Sequence, residues 1–291
     1  MSEYHGYSNE KHSRPPVSWA PLSACTEGCL PERGGSRVRL VRRLLVLVPV
    51  LVGTVLGVAV LPGRVRERWL RASARALLRA SGVELRVVGE QRFAGGGALV
   101  VANHLSWVEV VALNGVQPLR MLAKREVRDW PLIGPLAART GALFVDRFGL
   151  GSLPATVADT AAALRGGAVI GVFPEGTTHC GQVAGPFRRA AFQAALDAGV
   201  PVRPVAFRLL EPDGTRAARA PFVGDQTLAD SVGRVLRARR LICEVTVLPA
   251  IEPIGDRREL ARRAGAAVAA VTGVAHAPWR APLPAGAAVA A

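Results

Sequence analysis

Aromatic residues are scarce in this chain, at 5% of 291 positions, and lysine is almost missing: all but 2 of its 37 basic residues are arginine. No aromatic-interleaved basic patch, zinc-finger spacing or RNA-binding signature occurs, so nucleic acid is the weaker partner class despite a net charge of +15. The excess positive charge also suits anionic lipid or a phosphate-bearing substrate, and charge alone does not choose. Only 4 cysteines are present, too few for a disulfide framework in a chain of this size. Cys25 and Cys29 form a tempting pair, yet only Cys180 and Cys243 lie elsewhere and no histidines cluster near them. A closed metal site therefore lacks ligands, no metal is expected, and the thiols are read as reduced in the cytoplasm. A Gly-x-Ser-x-Gly elbow is absent, which disfavours a serine hydrolase. The run Gly95-Gly96-Gly97 lacks the Lys-Ser/Thr of a phosphate loop and is read as a turn.

Half of the residues are hydrophobic, enough for a sizeable core without covalent staples. Residues 1–39 are rich in Ser, Pro, Gly and charge and are expected to be disordered. Leu44 to Leu61 then forms an uncharged run of 18 residues, interrupted by Pro49, Gly53 and Gly57, at the lower limit for crossing a bilayer. Arginines flank it on both sides, so the positive-inside rule gives no orientation, and a re-entrant hairpin fits this symmetry better than a single span. No Ala-x-Ala cleavage site follows Leu61, and the segment is expected to be retained. From Val65 to Ser81, Leu70, Ala74 and Leu77 share one helical face while Arg64, Arg68, Arg71, Arg75 and Arg79 recur on another, the pattern of a basic interfacial helix beside Trp69. Residues 40–82 are thus read as membrane-associating helices.

Beyond residue 82, short apolar runs alternate with helical patterns. Strands are predicted at 84–88, 98–102, 120–123, 142–146, 168–173, 202–207 and 242–248, and helices at 106–113, 127–139, 153–164, 187–198 and 227–239. This alternation predicts an α/β domain over 83–274, a single sheet of mostly parallel or mixed strands covered by helices. An Ala/Pro-rich tail, expected to be surface or disordered, takes up 275–291.

The chemistry gathers at strand ends. Asn103-His104-Leu105-Ser106-Trp107-Val108-Glu109 follows the apolar run 98–102. An alcohol is a poor nucleophile near neutral pH, and a neutral imidazole is well matched to taking its proton as it attacks a carbonyl. A carboxylate five residues on would hold the ring tautomer. Ser106 to Glu109 fits a helix capping box equally well, and both roles are compatible. Three further blocks follow: Lys124-Arg125-Glu126 with Pro131 to Gly134 and Gly141 to Arg147; Phe173-Pro174-Glu175-Gly176-Thr177-Thr178; and Val200 to Val205, carrying two prolines.

In this order the four blocks resemble the lysophospholipid acyltransferase family, typified by 1-acylglycerol-3-phosphate acyltransferase, over roughly residues 85–210. The family usually has Asp where this chain has Glu109, one methylene longer. The resemblance implies His104 and Glu109 as catalytic, with Arg147, Glu175 and Gly176 forming the acceptor pocket and Lys124 and Arg125 contributing to phosphate or donor binding. An arginine suits a phosphate because its planar fork gives bidentate, charge-assisted bonds. The implied reaction moves a fatty acyl group from acyl-CoA or acyl-carrier protein to 1-acylglycerol-3-phosphate, giving phosphatidic acid for phospholipid biosynthesis at the cytoplasmic face of the cell membrane. No bound cofactor is implied, since the thioester supplies the driving force. Two alternatives remain open: another lysolipid acceptor such as lyso-ornithine lipid, and a non-catalytic membrane-binding relative.

Overall fold

A computed structural model describes residues 23, 25–31, 34–146, 150–223 and 226–276. Most of the segment expected to be disordered, 1–39, and nearly all of the tail 275–291 fall outside the described residues.

Among the described residues, seven strands form one sheet: β1 (Val83–Gly89), β2 (Ala98–Ala102), β3 (Arg120–Lys124), β4 (Leu143–Val145), β5 (Val169–Val172), β6 (Val202–Leu210) and β7 (Leu241–Val247), in the order β1-β7-β6-β2-β5-β3-β4. Every neighbouring pair is parallel except β6 with β7. The expected mostly parallel sheet is therefore what the chain builds. Central β2 is buried at all five positions, and its side chains alternate between two cores, Val100 and Ala102 on one face and Leu99 and Val101 on the other.

Helices cover both faces. The first core receives Leu78 from α2 (Gly63–Ser81), Leu113 from α3 (Trp107–Val116) and Val235 from α7 (Leu228–Arg237). The second receives Leu164 from α5 (Leu153–Arg165), Phe192 from α6 (Ala190–Ala198) and Leu260, Ala264 and Val268 from α8 (Arg257–Thr272). Helix α8 is an element beyond those predicted: Asp256 caps its start by accepting from the Arg258 and Glu259 N–H groups, and Gly273 ends it in the left-handed conformation. The single helix predicted over 127–139 is divided: a 3-10 turn at Arg125–Asp129 precedes Pro131, Leu132 takes φ 65°, and only then does α4 (Ile133–Arg139) begin. Proline disfavours helical backbone at the residue before it, which is why the pattern breaks there.

The apolar run lies within α1 (Arg37–Val60), a 24-residue helix about 36 Å long at 1.5 Å per residue, long and apolar enough to cross a membrane. Both of its ends are tied to the α/β domain. Arg43 donates to the carbonyls of Val235 and Leu236 in the last turn of α7 and of Ala238 and Arg239 just beyond it, and Arg39 donates to the Arg237 carbonyl, where a helix end leaves carbonyls in need of partners. At the other end Arg139 of α4 donates to the Ala59 carbonyl at 3.1 Å. Between them α1 packs on α2, where Gly57 admits Trp69 so closely that a Cβ would meet the indole Nε1 at 1.9 Å. The outward face shows Val38, Val41, Leu45, Val48, Val52, Leu56 and Val60 at helical spacing. The two helices pack as a hairpin against the α/β domain. One expectation for α2 is corrected: Arg71 and Arg75 turn inward to the Gly115 carbonyl, at 3.4 and 2.7 Å, capping the end of α3.

Candidate active site

β2, β5, β3 and β4 all run the same way, so the residues following each emerge at one edge of the sheet, the edge at which open α/β folds bind ligands. His104 lies two residues beyond β2, Phe173 follows β5 directly, Lys124 ends β3, and Asp146 follows β4. Sheet pairing thereby joins the first and third motifs, about seventy residues apart in the chain. Asn103 fixes the exit from β2: its amide donates to the Phe207 carbonyl at 3.0 Å and accepts from the Phe207 N–H at 2.8 Å. The fourth block does not reach this edge. Val202 to Val205 run alongside Leu99 to Ala102 inside the sheet, and Pro204 sits just before the β6–β7 ladder begins at Val205, where its missing N–H does no harm.

His104 and Glu109 come together. His104 Nδ1 stands 3.4 Å from Glu109 Oε2, within ion-pair range but without hydrogen-bond alignment, and it has no hydrogen-bond partner among the described residues. Such contacts are commonly loose until substrate is bound. Glu109 is fully buried and also completes a capping box: Oε2 accepts from the Leu105 and Ser106 N–H groups, and Oε1 accepts from Ser106 Oγ at 3.0 Å. Folding back onto the start of α3 absorbs the extra methylene of glutamate. The ring of His104 stacks on Phe173 with centroids 4.0 Å apart and planes 11° from parallel, which sets its orientation. With Nδ1 turned toward the carboxylate, Nε2 is left as the basic atom.

Glu175, expected in the acceptor pocket, is buried at 3% exposure, and its Oε2 accepts from the His104 N–H at 3.1 Å. Burial pushes its carboxyl well above the usual carboxylate range, with the nearby Glu109 charge adding to the shift and the His104 N–H opposing it. Two histidines that the sequence reading did not single out flank it. His179 Nε2 lies 3.9 Å from Oε2, and His276 Nδ1 lies 3.4 Å from Oε1. His276 Nδ1 meets the Gly185 carbonyl at 2.8 Å, so Nδ1 carries the proton. Burial, then the neighbouring His104 and His276, lower His179 to about 4; burial also lowers His276. Glu175, His179 and His276 line a cavity of about 220 Å³ from which His104 is absent. A sequence signal for His179 existed, four residues beyond Glu175; none pointed to His276.

Gly176 adopts φ 77°, a left-handed conformation that favours glycine and turns the chain sharply after Glu175. The backbone of this loop is pinned to the first motif by the His179 N–H, which donates to the His104 carbonyl at 2.9 Å. Lys124 is half-buried and Arg125 exposed at the end of β3, two strands from β2. Arg147 lies outside the described residues. Cys180 lies beside Cys25 and Cys29, a neighbourhood that their spacing in the chain does not show.

Residues 84–208 match the Acyltransferase family model. Lyso-ornithine lipid O-acyltransferase of Pseudomonas aeruginosa is 39% identical over 80% of this chain and 93% of its own length. The 1-acyl-sn-glycerol-3-phosphate acyltransferase of Neisseria gonorrhoeae is 32% identical over 62% of this chain and 70% of its own. Among solved structures, the 1-acyl-sn-glycerophosphate acyltransferase of Thermotoga maritima superposes with a TM-score of 0.63 at 16% identity, covering 81% of this chain and 94% of that one, a likeness of fold.

Proposed function

The chain belongs to the lysophospholipid acyltransferase family, and on that premise we propose that it esterifies the free hydroxyl of lyso-ornithine lipid with an acyl group from acyl-CoA or acyl-carrier protein. The observation that carries the catalytic part is His104 with Nδ1 turned to buried Glu109 and its ring held flat on Phe173. His104 Nε2 takes the hydroxyl proton as the alcohol oxygen attacks the thioester carbonyl. The tetrahedral adduct then collapses, the C–S bond breaks, and the imidazolium returns the proton to the departing thiolate. Glu109 stabilises the imidazolium, and Glu175 positions His104 through its backbone.

For the acceptor, the support is the longer and higher identity to a lyso-ornithine lipid enzyme. The phosphatidic-acid-forming reaction is the second reading, favoured by the relatives that act on 1-acylglycerol-3-phosphate. In either case Arg147, Lys124 and Arg125 supply positive charge toward the acceptor head, a carboxylate in the first and a phosphate in the second. Membrane association is supported by the exposed apolar face of α1 and by Leu132 and Ile133, exposed where α4 packs on its end. The hairpin docks in the interface, and the acyltransferase domain faces the cytoplasm.

The test is thiol release from a long-chain acyl thioester by the purified protein with each acceptor in turn. Release that requires lyso-ornithine lipid is the expected result; release that requires 1-acylglycerol-3-phosphate instead moves the chain to the second reading.

A further inference from the structure

The segment ahead of α1 does more than lead into the hairpin. A 3-10 turn at Glu27–Cys29, closed by the Cys29 N–H on the Thr26 carbonyl at 3.0 Å, folds Cys25 and Cys29 toward one another. Cys180, 151 residues further on and just past the Glu175 loop, joins them, and the three sulfurs all lie within 4.8 Å of each other. None is in a disulfide.

We propose that Cys25, Cys29 and Cys180 form a three-thiolate site for a soft divalent cation of the zinc class, clasping the segment before α1 to the loop that positions His104. Tetrahedral zinc thiolates hold sulfur at about 2.3 Å, hence sulfurs about 3.8 Å apart, so closing this cluster needs movements of only about 1 Å. The Cys25-x3-Cys29 spacing falls in the range used by paired zinc ligands. The Cys180 N–H donates to Cys25 Sγ at 3.2 Å, a bond that strengthens when the sulfur is a thiolate. Cys25 and Cys180 are buried against Val223, whereas Cys29 is half-exposed, which leaves an entry path and a position for water. Sulfur ligands select zinc-class ions and reject magnesium and calcium. On binding, each ligating thiol gives its proton to solvent and forms one sulfur–metal bond, with no change of oxidation state.

The clasp acts on the active-site loop. Ser23 Oγ lies 3.3 Å from His179 Nδ1, and His179, next to Cys180, is bonded through its N–H to the His104 carbonyl. Metal binding by these thiols is independent of which lysolipid is acylated.

Full-length protein in detergent, reduced and stripped with chelator, is titrated with Zn²⁺ against a chromogenic competitor, and with Co²⁺ while thiolate-to-cobalt charge-transfer absorption is followed. One equivalent should bind with the charge-transfer band present, and Cys29→Ser and Cys180→Ser should each lose at least about tenfold in affinity, while Cys243→Ala retains it. Cys29→Ser, altering a half-exposed side chain, separates loss of a ligand from loss of fold. Absence of the band, or unchanged affinity in Cys29→Ser, would overturn the site, and so would a failure of the reduced protein to bind either ion.

Discussion

Replacing Glu109 by Gln keeps the shape of the side chain and removes its charge. The carboxylate accepts from the Leu105 and Ser106 N–H groups and from Ser106 Oγ. A hydrogen bond to a charged group contributes roughly 1 kcal/mol more than a neutral one, so neutralising all three acceptor contacts should lower stability by about 2–3 kcal/mol. For a domain of this size that is a fall of roughly 5–10 °C in Tm. The same carboxylate stands 3.4 Å from His104 Nδ1, and its loss leaves the imidazolium without a counter-charge. General-base catalysis is worth about 10²–10⁴-fold, so kcat should drop by at least about 10² at a temperature where the variant remains folded. Glu109→Asp keeps the charge while drawing it back by about 1.5 Å, and should retain more activity than Gln. Acceptor-dependent thiol release, measured beside thermal unfolding, separates the two roles. A Gln variant that loses stability but keeps kcat within a factor of about two would reduce Glu109 to a helix cap and refute the catalytic pairing.

Other expected outcomes follow from the same geometry. Asn103→Ala strands the buried Phe207 N–H and carbonyl, and should destabilise by about 2–4 kcal/mol in denaturant unfolding. His179, lowered from 6.5 to about 4, binds protons more readily when unfolded across that interval, so stability should fall as pH drops from about 6.5 toward 4. His179→Gln should flatten that slope in a pH series of thermal melts, and an unchanged slope would contradict the assignment. Leu45→Arg with Val52→Arg places charge on the exposed face of α1 and should release the protein from vesicles without lowering Tm.

Much of this architecture was legible because its signals are local. All seven strands were predicted to within a few residues, since short apolar runs bounded by turns mark buried parallel strands without reference to distant residues. Helix α8 escaped because its core stripe consists of Leu260, Ala264 and Val268 within an Ala- and Arg-rich stretch, a weak apolar periodicity despite good caps. The His104–Glu109 pair was readable from spacing along one strand-to-helix junction. The environment of Glu175 was not, because His276 reaches it from the start of the stretch read as a tail, and only packing sets that contact. The inward turn of Arg75 was hidden for a related reason: periodicity assigns a face to an arginine, while the Gly115 carbonyl that captures it belongs to another helix. Cys180 joining Cys25 and Cys29 likewise depends on where the segment before α1 lies against the domain.

The most direct test of the central claim is single-turnover acyl transfer by wild type and His104→Gln, at saturating acyl thioester and lysolipid, with circular dichroism confirming the fold of both. The variant should bind both substrates and remain folded while its transfer rate falls by about 10²-fold or more. Transfer by His104→Gln at the wild-type rate would show that the acceptor hydroxyl is activated by some other group.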